Sequence, residues 1–446
     1  MISTDKQQVI VVGAGASGMM AAGAAAASGA RVIILEKMSR PGEKLHITGK
    51  TRCNVTNSRE LKAFIAMFGP NGSFLYRAFH TFFRDELTDF LHHQGVEMKT
   101  ERGGRIFPVS DQAADVVDAF VRYLDQHDVV LKTQVRVTGM RVEDGRVLGV
   151  DTDTGFVPAG AVIIATGGST WPGTGSSGDG YRMAGKVGHK VTKLRPALVP
   201  LIVHEIDLAK SMQGIALRNV RLTAFGCLKE DIDPLLTPTT DIGRGIAGKR
   251  PRKPVIESRF GEMMFTHFGI GGPVTLLLSL AVVDALENGP VSVSIDLKPA
   301  MTREQLHQRI QGDLDRYGKR SWRRIMEGLL PSGMIEAFCT LSGIDPEKPA
   351  HQISGTERGK AVSLLKSLCF QVKSPLPMSS AIVTAGGVSL NEIDPRTMES
   401  LKISGLFFCG EVLDLDADTG GYNLQAAFST GYVAGQAAAA YIREDL

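Results

Sequence analysis

The chain has few cysteines and no long hydrophobic run, and both absences limit what kind of protein it is. Its 446 residues include only five cysteines and no Cys-x-x-Cys pair, which argues against a disulfide framework, a zinc site and a dithiol redox pair. The longest apolar stretch, near 274–283, is well short of the roughly 20 residues of a membrane span. The first eight residues are polar, and the apolar run after them is too short for a signal peptide. We therefore expect a cytoplasmic protein with no metal site and no membrane partner.

An excess of charge of one sign is also lacking. The 50 Lys and Arg residues nearly balance the 47 Asp and Glu residues, so the formal net charge is only +3. A charge this small does not indicate a nucleic-acid partner, and we expect a small-molecule substrate instead. The length of 446 residues allows two or three domains with a sizeable core.

A glycine pattern directly after the first predicted strand is the most informative feature that is present. Val9–Val12 is a short apolar run, and Gly13, Gly15 and Gly18 after it fit the pattern G-x-G-x-x-G before an Ala-rich helix. The first glycine allows the tight turn, the second lets the backbone approach a pyrophosphate, and the third lets the helix pack on the strand. This arrangement predicts dinucleotide binding.

The next predicted strand strengthens that interpretation. Arg31–Leu35 is apolar after its first residue, and Glu36 follows it at the position where an acid bonds the ribose 2′-hydroxyl of a dinucleotide. A free 2′-hydroxyl points to FAD or NAD rather than NADP at this site.

Both chain ends are predicted to form one Rossmann-like α/β domain. Short strands and hairpin turns between 129 and 165 form a meander typical of a flavoprotein, and a buried strand at 406–409 precedes a long helix near 424–440. Proline pairs near 195–200 mark the start of an insertion. The predicted domains are 1–195 (FAD-binding, first part), 196–300 (β-rich insert), 301–368 (helical insert), 369–390 (return through the β-rich domain) and 391–446 (FAD-binding, second part).

The C-terminal block places a helix start beside a strand end. Gly410 and Glu411 end the strand, and the helix begins after Gly420 and Gly421. A helix N-terminus carries free N–H groups and a positive dipole, which suit the electron-rich edge of a flavin. The alternative is a plain strand–turn–helix with glycine caps.

A second block, 44–57, follows the second strand, where the chain can run along a bound dinucleotide. Lys44 and Arg52 are suited to neutralise pyrophosphate charge or to stabilise an anionic flavin. Cys53 is either a redox thiol or a packing residue, and we favour packing because no second cysteine lies near it.

Two further sets of residues are candidates for substrate chemistry. His267 follows Thr266 and precedes a glycine turn, and histidine is suited to proton transfer near neutral pH. The alternative is a helix-capping histidine in a turn. Arg102 and Arg105 lie in a Gly-rich turn that fits a substrate carboxylate, although a solvated loop explains them equally well.

The segment 231–258 is rich in Pro, Gly and basic residues, which predicts a long exposed loop. Such a loop is either a lid with anion-binding residues or a solvated insertion, and we favour the insertion.

Taken together, these blocks resemble one family, the BaiN-type NAD(P)/FAD-dependent oxidoreductases (3-dehydro-bile-acid Δ4,6-reductase-like flavoproteins). The resemblance implies non-covalent FAD in a two-part Rossmann-like domain, an inserted β-barrel-like domain and a small helical domain. Fumarate-reductase-type flavoproteins are more distant relatives, and amino-ketone oxidases have been assigned within the family. The matching stretches are Gly13–Gly18 with Glu36, Thr48–Asn57, Arg105–Pro108, Gly175–Tyr181, Phe265–Pro273, Thr384–Ser389 and Gly410–Gln425.

One departure from the family pattern lies beside the predicted flavin. Most members carry G-G-G-R-C-N or a near variant, whereas this chain has Lys50 and Thr51 before Arg52, Cys53 and Asn54. The larger side chains either crowd the backbone at the flavin or add a cation there.

We therefore expect an FAD-dependent oxidoreductase that passes a hydride between flavin N5 and a small organic substrate, at a carbon–carbon double bond next to a carbonyl. The alternatives are an amino-ketone oxidase that uses oxygen and an FAD-binding protein with an interaction or RNA-related role. NAD(P)H is a candidate electron donor, although the chain has no second G-x-G-x-x-G. The predicted catalytic residues are His267, Arg52 and Asn54. The predicted cofactor-binding residues are Gly13, Gly15, Ala16, Ser17, Gly18, Glu36, Lys37, Lys44, Thr48, Gly49, Arg52, Cys53, Asn54, Val135, Ala165, Thr166, Gly167, Gly168, Gly410, Glu411, Gly420, Gly421, Tyr422 and Asn423.

Overall fold

Two units make up the chain, and the first of them is built from both chain ends. The computed structural model describes residues 7–244, 246 and 252–444. The first unit comprises Met1–Arg195 and Met378–Leu446, and the second comprises Pro196–Pro377. The sequence places the return to the first domain at 391, whereas the second unit already ends at Pro377. The finer division of the insert into a β-rich and a helical domain stays a prediction.

A five-stranded parallel sheet forms the centre of the first unit. Its strands lie in the order Leu406–Phe408, Ala161–Ile164, Gln8–Val12, Arg31–Leu35 and Val130–Lys132. Apart from the edge strand Val130–Lys132, the strands are almost wholly apolar and buried, as expected for a parallel sheet that is covered on both faces. The carboxyl ends of Gln8–Val12, Arg31–Leu35 and Ala161–Ile164 therefore meet at one edge of the sheet. Ligands of open α/β sheets bind at this edge.

Two small antiparallel sheets complete the strands of this unit. One contains Thr56–Asn57, Arg105–Pro108 and Met98–Thr100, and the other contains Val137–Glu143, Arg146–Thr152 and Gly155–Pro158. Asp144 and Gly145 connect two strands of the second sheet with φ values of 48° and 73°, as a tight two-residue hairpin turn requires.

The predicted helical stretch 74–94 is divided into two helices, Tyr76–Thr81 and Arg84–His93. Phe82 and Phe83 between them are extended, and the side chain of Glu86 accepts a hydrogen bond from the Phe83 N–H at 2.9 Å. This capping contact starts a new helix, because it satisfies a backbone donor that has no partner within the helix.

A closed six-stranded barrel forms the centre of the second unit and confirms the expected barrel-like insert. Its strands lie in the order Leu201–Val203, Gly269–Gly271, Val255–Thr266, Ala216–Phe225, Ser292–Asp296 and Leu368–Pro375. One apolar cluster continues from the barrel into the helices of the same unit, including Phe265, Phe370 and Trp322. Burial of these large side chains supplies the main stabilisation of the unit.

The remaining elements are helices and two short strands. The other helices of the first unit are Ala16–Ala27, Glu43–Ile47, Leu61–Ala66, Ala113–Gln126, Asp179–Lys186 and Tyr422–Glu444. The helices of the second unit are Ile206–Ser211, Pro273–Leu286, Arg303–Arg316, Trp322–Met326, Ile335–Ser342 and Gly355–Lys366. The short strands are Arg195–Ala197 and Val383–Ala385.

The predicted loop 231–258 is described only in part. Its residues 245 and 247–251 lie outside the described residues, and its end already belongs to the barrel strand that begins at Val255. Within the described ranges, no helix is both long enough and apolar enough to cross a membrane.

Candidate functional site

The three fingerprint glycines have different reasons to be glycine. A Cβ on Gly13, whose φ is +103°, would lie 2.7 Å from the carbonyl oxygen of Ala165, and a Cβ on Gly18 would overlap the carbonyl oxygen of Gly13. Around Gly15, in contrast, a Cβ would meet no atom of the chain within 4 Å. Packing of the chain on itself therefore explains Gly13 and Gly18, whereas Gly15 borders open space.

That open space lies at the start of the first helix, Ala16–Ala27. Gly15 is its N-cap, no side chain caps its N–H groups, and no acidic residue lies in its first turn. Ser17 in this turn donates a hydrogen bond to the carbonyl of Cys409 at 3.5 Å, and Gly410 approaches it closely. Uncapped N–H groups and a positive dipole make this helix start suited to a pyrophosphate.

Glu36 lies directly beside the glycine loop. Its carboxylate accepts hydrogen bonds from the N–H of Ala14 at 2.6 Å and from the N–H of Met38 at 2.8 Å. The carbonyl of Glu36 accepts a hydrogen bond from the N–H of Val135 at 2.9 Å. Two predicted cofactor-binding residues, Glu36 and Val135, therefore meet beside the glycine loop. Glu36 is only 9% exposed, and its two hydrogen bonds to backbone N–H groups orient its carboxylate as an acceptor.

Lys37, the residue after Glu36, belongs to a separate polar cluster. Its ammonium donates to Ser177 at 2.5 Å and to Asp179 at 2.6 Å. Burial, with a further contribution from nearby Arg136, lowers the pKa of Lys37. Asp179 also pairs with Arg136 and Arg182, so Lys37 belongs to a cluster of three cations around one carboxylate.

The strand Ala161–Ile164 ends at the same edge of the sheet. Ala165 donates its N–H to the carbonyl of Val12 at 3.0 Å, which places it next to the glycine loop. The hydroxyl oxygen of Thr166 is buried and has no hydrogen-bond partner among the described residues. Because a buried polar atom ordinarily has a partner, this hydroxyl indicates a ligand or water beside it.

Glu411 is the centre of a hydrogen-bond network just after the strand Leu406–Phe408. Its carboxylate accepts from the ammonium of Lys44 at 2.7 Å, from the N–H of Thr384 at 2.9 Å and from the hydroxyl of Thr170 at 3.5 Å. Gly168 lies against it, since a Cβ there would be 2.7 Å from the carboxylate. The sequence did not single out Thr170 or Thr384, although Thr384 begins one of the stretches that carry the family resemblance.

The loop 48–54 contains a buried thiol. Cys53 donates its N–H to the carbonyl of Thr48 at 3.0 Å, and its side chain is fully buried. Burial raises the pKa of Cys53 to about 12, and the neutral thiol is a poor nucleophile. This environment supports the packing role that the sequence favours. Gly49 in the same loop has a φ of +60° and lies close to the backbone of Asn54.

Asn54 joins this loop to the C-terminal helix, Tyr422–Glu444. In the amide orientation that satisfies its neighbours, its nitrogen donates to the carbonyls of Thr56 and Ile106, and its oxygen accepts from the N–H of Gly421 at 2.9 Å. Asn57 adds a bond from its amide to the carbonyl of Gly420 at 3.0 Å. The block 44–57 and the G-G-Y-N signature therefore form one assembly.

The side chains of Tyr422 and Asn423 in the G-G-Y-N signature contact other residues of the same chain. Asn423 exchanges two hydrogen bonds of 2.9 Å with the backbone of Ala417, and the Tyr422 ring packs edge-on against Phe64. Next to them, the hydroxyl oxygen of Thr56 and the amide oxygen of Gln425 are buried without partners among the described residues. The sequence did not single out either atom, because burial of one polar atom leaves no pattern in a sequence.

Arg52 is held by carboxylates of its own chain. Its guanidinium forms ion pairs with Glu101 and, at 2.6 Å, with Asp111, and it lies 4.2 Å above the ring of Phe107. The hydrogen bond with Glu101 is the main cause that raises the pKa of Arg52. The chain therefore already neutralises the charge that the sequence assigned to a pyrophosphate or flavin.

His267 lies in the second unit, on an exposed two-residue turn between the barrel strands that end at Thr266 and begin at Gly269. The hydroxyl of Thr266 accepts a hydrogen bond from the N–H of Gly269 at 3.1 Å. The alternative, a helix-capping histidine in a turn, is correct for the turn but not for the cap, because Gly272 is the N-cap of the helix Pro273–Leu286. Its catalytic role stays a prediction.

Arg102 and Arg105 belong to the first unit, and both are exposed. Arg105 donates a hydrogen bond to the carbonyl of Arg102 at 3.2 Å, so this turn is partly closed on itself. Among the residues that the structure describes, no group of His, Cys, Asp and Glu could hold a metal ion.

The residues at this edge of the sheet fit the pyrophosphate and ribose of FAD. The open space at Gly15, the uncapped helix start, the carboxylate of Glu36 and the unpartnered hydroxyl of Thr166 lie along one edge of the sheet. They provide donors for a pyrophosphate and an acceptor for a ribose hydroxyl. The fold and the site define a dinucleotide-binding protein.

Comparison with known proteins gives the family. Residues 7–437 match the family described as HI0933-like protein Rossmann domain, and the chain belongs to this family. A 3-dehydro-bile acid delta(4,6)-reductase from Clostridium scindens is 32% identical over 433 residues, which are 96% of this chain and 98% of that protein. A ribosomal RNA dihydrouridine synthase from Escherichia coli is 27% identical over 435 residues, which are 97% of this chain and 98% of that protein.

Two solved structures share the fold. A flavocytochrome c3 fumarate reductase in an open conformation has a TM-score of 0.50 at 17% identity and covers 98% of this chain and 78% of its own. A 3-ketosteroid delta1-dehydrogenase from Sterolibacterium denitrificans has a TM-score of 0.51 at 13% identity and covers 97% of this chain and 100% of its own. The predicted family resemblance and fold class are confirmed, and the chain is an FAD-dependent oxidoreductase.

Proposed function

We propose that the protein reduces a carbon–carbon double bond next to a carbonyl in a small organic substrate. The observation that carries this proposal is the end-to-end similarity to a protein named as a delta(4,6)-reductase, since such a bond pair is conjugated to the 3-keto group of the steroid. The network at Glu411 and the assembly at Asn54 support it, because they fix both predicted flavin-contacting segments on one scaffold.

Each part of the chain has a role in this proposal. The helix start at Gly15 binds the pyrophosphate, and Glu36 binds the ribose. FAD supplies the hydride chemistry when it is bound. Asn54 and Arg52 hold the loop beside the C-terminal helix, and His267 donates the proton that the reduced substrate needs. NAD(P)H serves as the electron donor.

Reduction of uridine in RNA is the second candidate. Two relatives named ribosomal RNA dihydrouridine synthase, from Escherichia coli and Haemophilus influenzae, match 97% and 95% of this chain at 27% and 28% identity. Dihydrouridine is uridine whose C5–C6 double bond has been reduced, and that bond is conjugated to a carbonyl. Both candidates therefore require the same bond chemistry on substrates of very different size.

A two-stage experiment separates the candidates. The purified holoenzyme is first reduced without oxygen by NADH or NADPH, and the flavin absorbance is then followed after addition of a 3-oxo-4,6-diene steroid, ribosomal RNA or oxygen. Fast reoxidation by the steroid supports the proposal, and fast reoxidation by RNA supports the second candidate. Reoxidation by oxygen alone favours the amino-ketone oxidase alternative, and no turnover with any pair favours an interaction protein. A colourless protein would contradict FAD binding itself.

A further inference from the structure

The loop that carries the R-C-N motif follows an unusual backbone path. Gly49, Lys50 and Thr51 are consecutive residues in the left-handed region, with φ values of 60°, 59° and 67°, and Cys53 follows with 59°. A left-handed backbone is unfavourable for Lys and more so for the β-branched Thr. Such conformations persist only where the surroundings fix them, and they cluster at ligand sites.

The surroundings do fix this turn from both sides. The N–H of Cys53 bonds to the carbonyl of Thr48 at 3.0 Å, and the N–H of Ala113 bonds to the carbonyl of Thr51 at 2.9 Å. The fully buried side chain of Cys53 anchors the end of the turn. The side chains of Lys50 and Thr51 are both exposed, so the anchored turn presents them outward.

The charge of Lys50 has no counterpart within the described part of the chain. The other Lys and Arg residues of the segment 44–57 are paired: Lys44 with Glu411, and Arg52 with Glu101 and Asp111. Lys99 also pairs with Asp111, so the group of two cations and two carboxylates around Arg52 is neutral. The ammonium of Lys50 forms no hydrogen bond or ion pair with a described residue, and the turn therefore carries one unbalanced positive charge.

This charge belongs to the segment that the structure joins to the start of the C-terminal helix. Asn54 binds the N–H of Gly421, and Asn57 binds the carbonyl of Gly420. The first turn of that helix contains no acidic residue that could compensate the charge of Lys50. The assembly thus holds an unneutralised cation, carried on an anchored backbone, beside the predicted flavin-binding residues.

We propose that Lys50 recognises an anionic oxygen group of the substrate, a carboxylate or a phosphate, and so determines the substrate class. This inference rests on the proposed function, because it places the substrate beside the FAD-binding segment. An ammonium on an anchored turn attracts such a group by charge and by hydrogen bonding, and the anchored backbone limits the conformational cost of recognition.

The test compares three ligands that share one ring: benzoate, phenyl phosphate and the uncharged benzamide. Each is titrated into the FAD-loaded protein at low salt, and binding is read from the flavin difference spectrum, without turnover. We expect benzoate or phenyl phosphate to bind and benzamide to bind much more weakly. The tighter of the two anions identifies carboxylate or phosphate as the source.

Three variants assign the effect to charge. Lys50→Asn keeps a residue that tolerates the left-handed backbone but removes the charge, and it should weaken anion binding about fivefold or more. Lys50→Arg keeps the charge and should bind as the wild type does. Thr51→Asn is the matched control, because it changes the neighbouring left-handed residue and leaves the charge in place.

Several results would overturn the inference. These are benzamide binding as tight as benzoate, no spectral response to either anion, wild-type anion affinity in Lys50→Asn, or an equal loss in Thr51→Asn. The flavin content of each preparation is measured first from its visible absorbance. A colourless protein contradicts the proposed function, whereas a yellow protein whose anion affinity ignores Lys50 contradicts only this inference.

Discussion

Lys44 and Glu411 are 367 residues apart in the chain, and their side chains form an ion pair of 2.7 Å. The pair connects the loop after the second strand to the end of the strand Leu406–Phe408. Both side chains are largely buried, with 24% and 19% of their surface exposed, so water screens the pair only in part. This ion pair thus adds to the contacts that join the N-terminal part of the first unit to its C-terminal part.

We expect strong coupling between these two residues. Lys44→Met and Glu411→Gln should each lower the free energy of unfolding by about 1–3 kcal/mol, because each leaves a largely buried polar group without its partner. The double variant should lose less than the sum of the two. Urea denaturation measures all four proteins. The control pair is Arg40 and Glu43, where Arg40 is 62% exposed and coupling should be below about 0.5 kcal/mol. Simple additivity at Lys44 and Glu411 would contradict the expectation.

Gly15 and Gly18 should separate cofactor binding from folding. Gly15→Ala places a methyl group into the open space at the helix start, so apoprotein stability should change by less than about 1 kcal/mol while FAD affinity falls about tenfold or more. Gly18→Ala would overlap the carbonyl oxygen of Gly13 and should destabilise the apoprotein itself by about 1–3 kcal/mol. Thermal unfolding of the apoproteins and quenching of flavin fluorescence on reconstitution measure the two effects. Unchanged FAD affinity in Gly15→Ala would remove the pyrophosphate from this helix.

Glu36 should contribute strongly to FAD affinity. Glu36→Ala removes the proposed charge-assisted hydrogen bond to the ribose, worth about 1.5–3 kcal/mol, so the dissociation constant should rise about tenfold or more. It also frees the N–H groups of Ala14 and Met38, which loosens the glycine loop. Glu43→Ala, at an exposed ion pair with Arg40, serves as the control and should bind FAD normally. An unchanged constant in Glu36→Ala would place Glu36 away from the ribose.

His189 should make the first unit sensitive to mild acid. Its buried ring bonds Glu392 at 3.0 Å through one nitrogen and Ser400 at 2.9 Å through the other, and Lys402 lies on the far side of Glu392. Burial is the main cause that lowers the pKa of His189, partly opposed by Glu392. Because the unfolded chain takes up a proton below about pH 6.5 before the folded chain does, stability should fall as the pH drops from there.

The measurement is the free energy of unfolding between pH 8 and pH 5. His189→Gln should flatten the part of the curve just below pH 6.5, since it removes the titrating ring but keeps hydrogen-bonding atoms. The exposed His92 provides the matched substitution control, His92→Gln. A wild-type curve that is flat below pH 6.5 would show that His189 titrates equally in both states.

Elements set by local pattern could be predicted from the sequence. The strand Arg31–Leu35 is observed with the predicted bounds, and the glycine loop and Glu36 lie together because one βαβ unit of short range fixes them. The closed barrel, in contrast, came from the family resemblance, because closure depends on pairing between strands that are distant in the chain, such as Leu201–Val203 with Leu368–Pro375.

Side-chain partners that are distant in the chain could not be predicted. Arg52 has the appearance of a free cation in the sequence, but Glu101 and Asp111 approach it through the antiparallel sheet around Arg105–Pro108. The carboxylate of Glu411 likewise accepts from Lys44 and Thr384, two residues that its place in the sequence does not indicate. No spacing rule encodes such contacts, because they depend on how separate elements pack.

His267 gives the sharpest test of the proposed chemistry. If it donates the proton, His267→Gln should slow substrate reduction about 10²–10⁴-fold, because glutamine keeps hydrogen-bonding capacity but cannot transfer a proton. FAD affinity and flavin reduction by NAD(P)H should stay unchanged, since Glu36 and the glycine loop belong to the other unit. His204, also exposed and in the same unit, provides the control variant His204→Gln. Stopped-flow measurement of the two half-reactions distinguishes the steps, and only the second should slow in His267→Gln. Normal substrate reduction by that variant would assign proton transfer to another group and leave the hairpin turn a structural element.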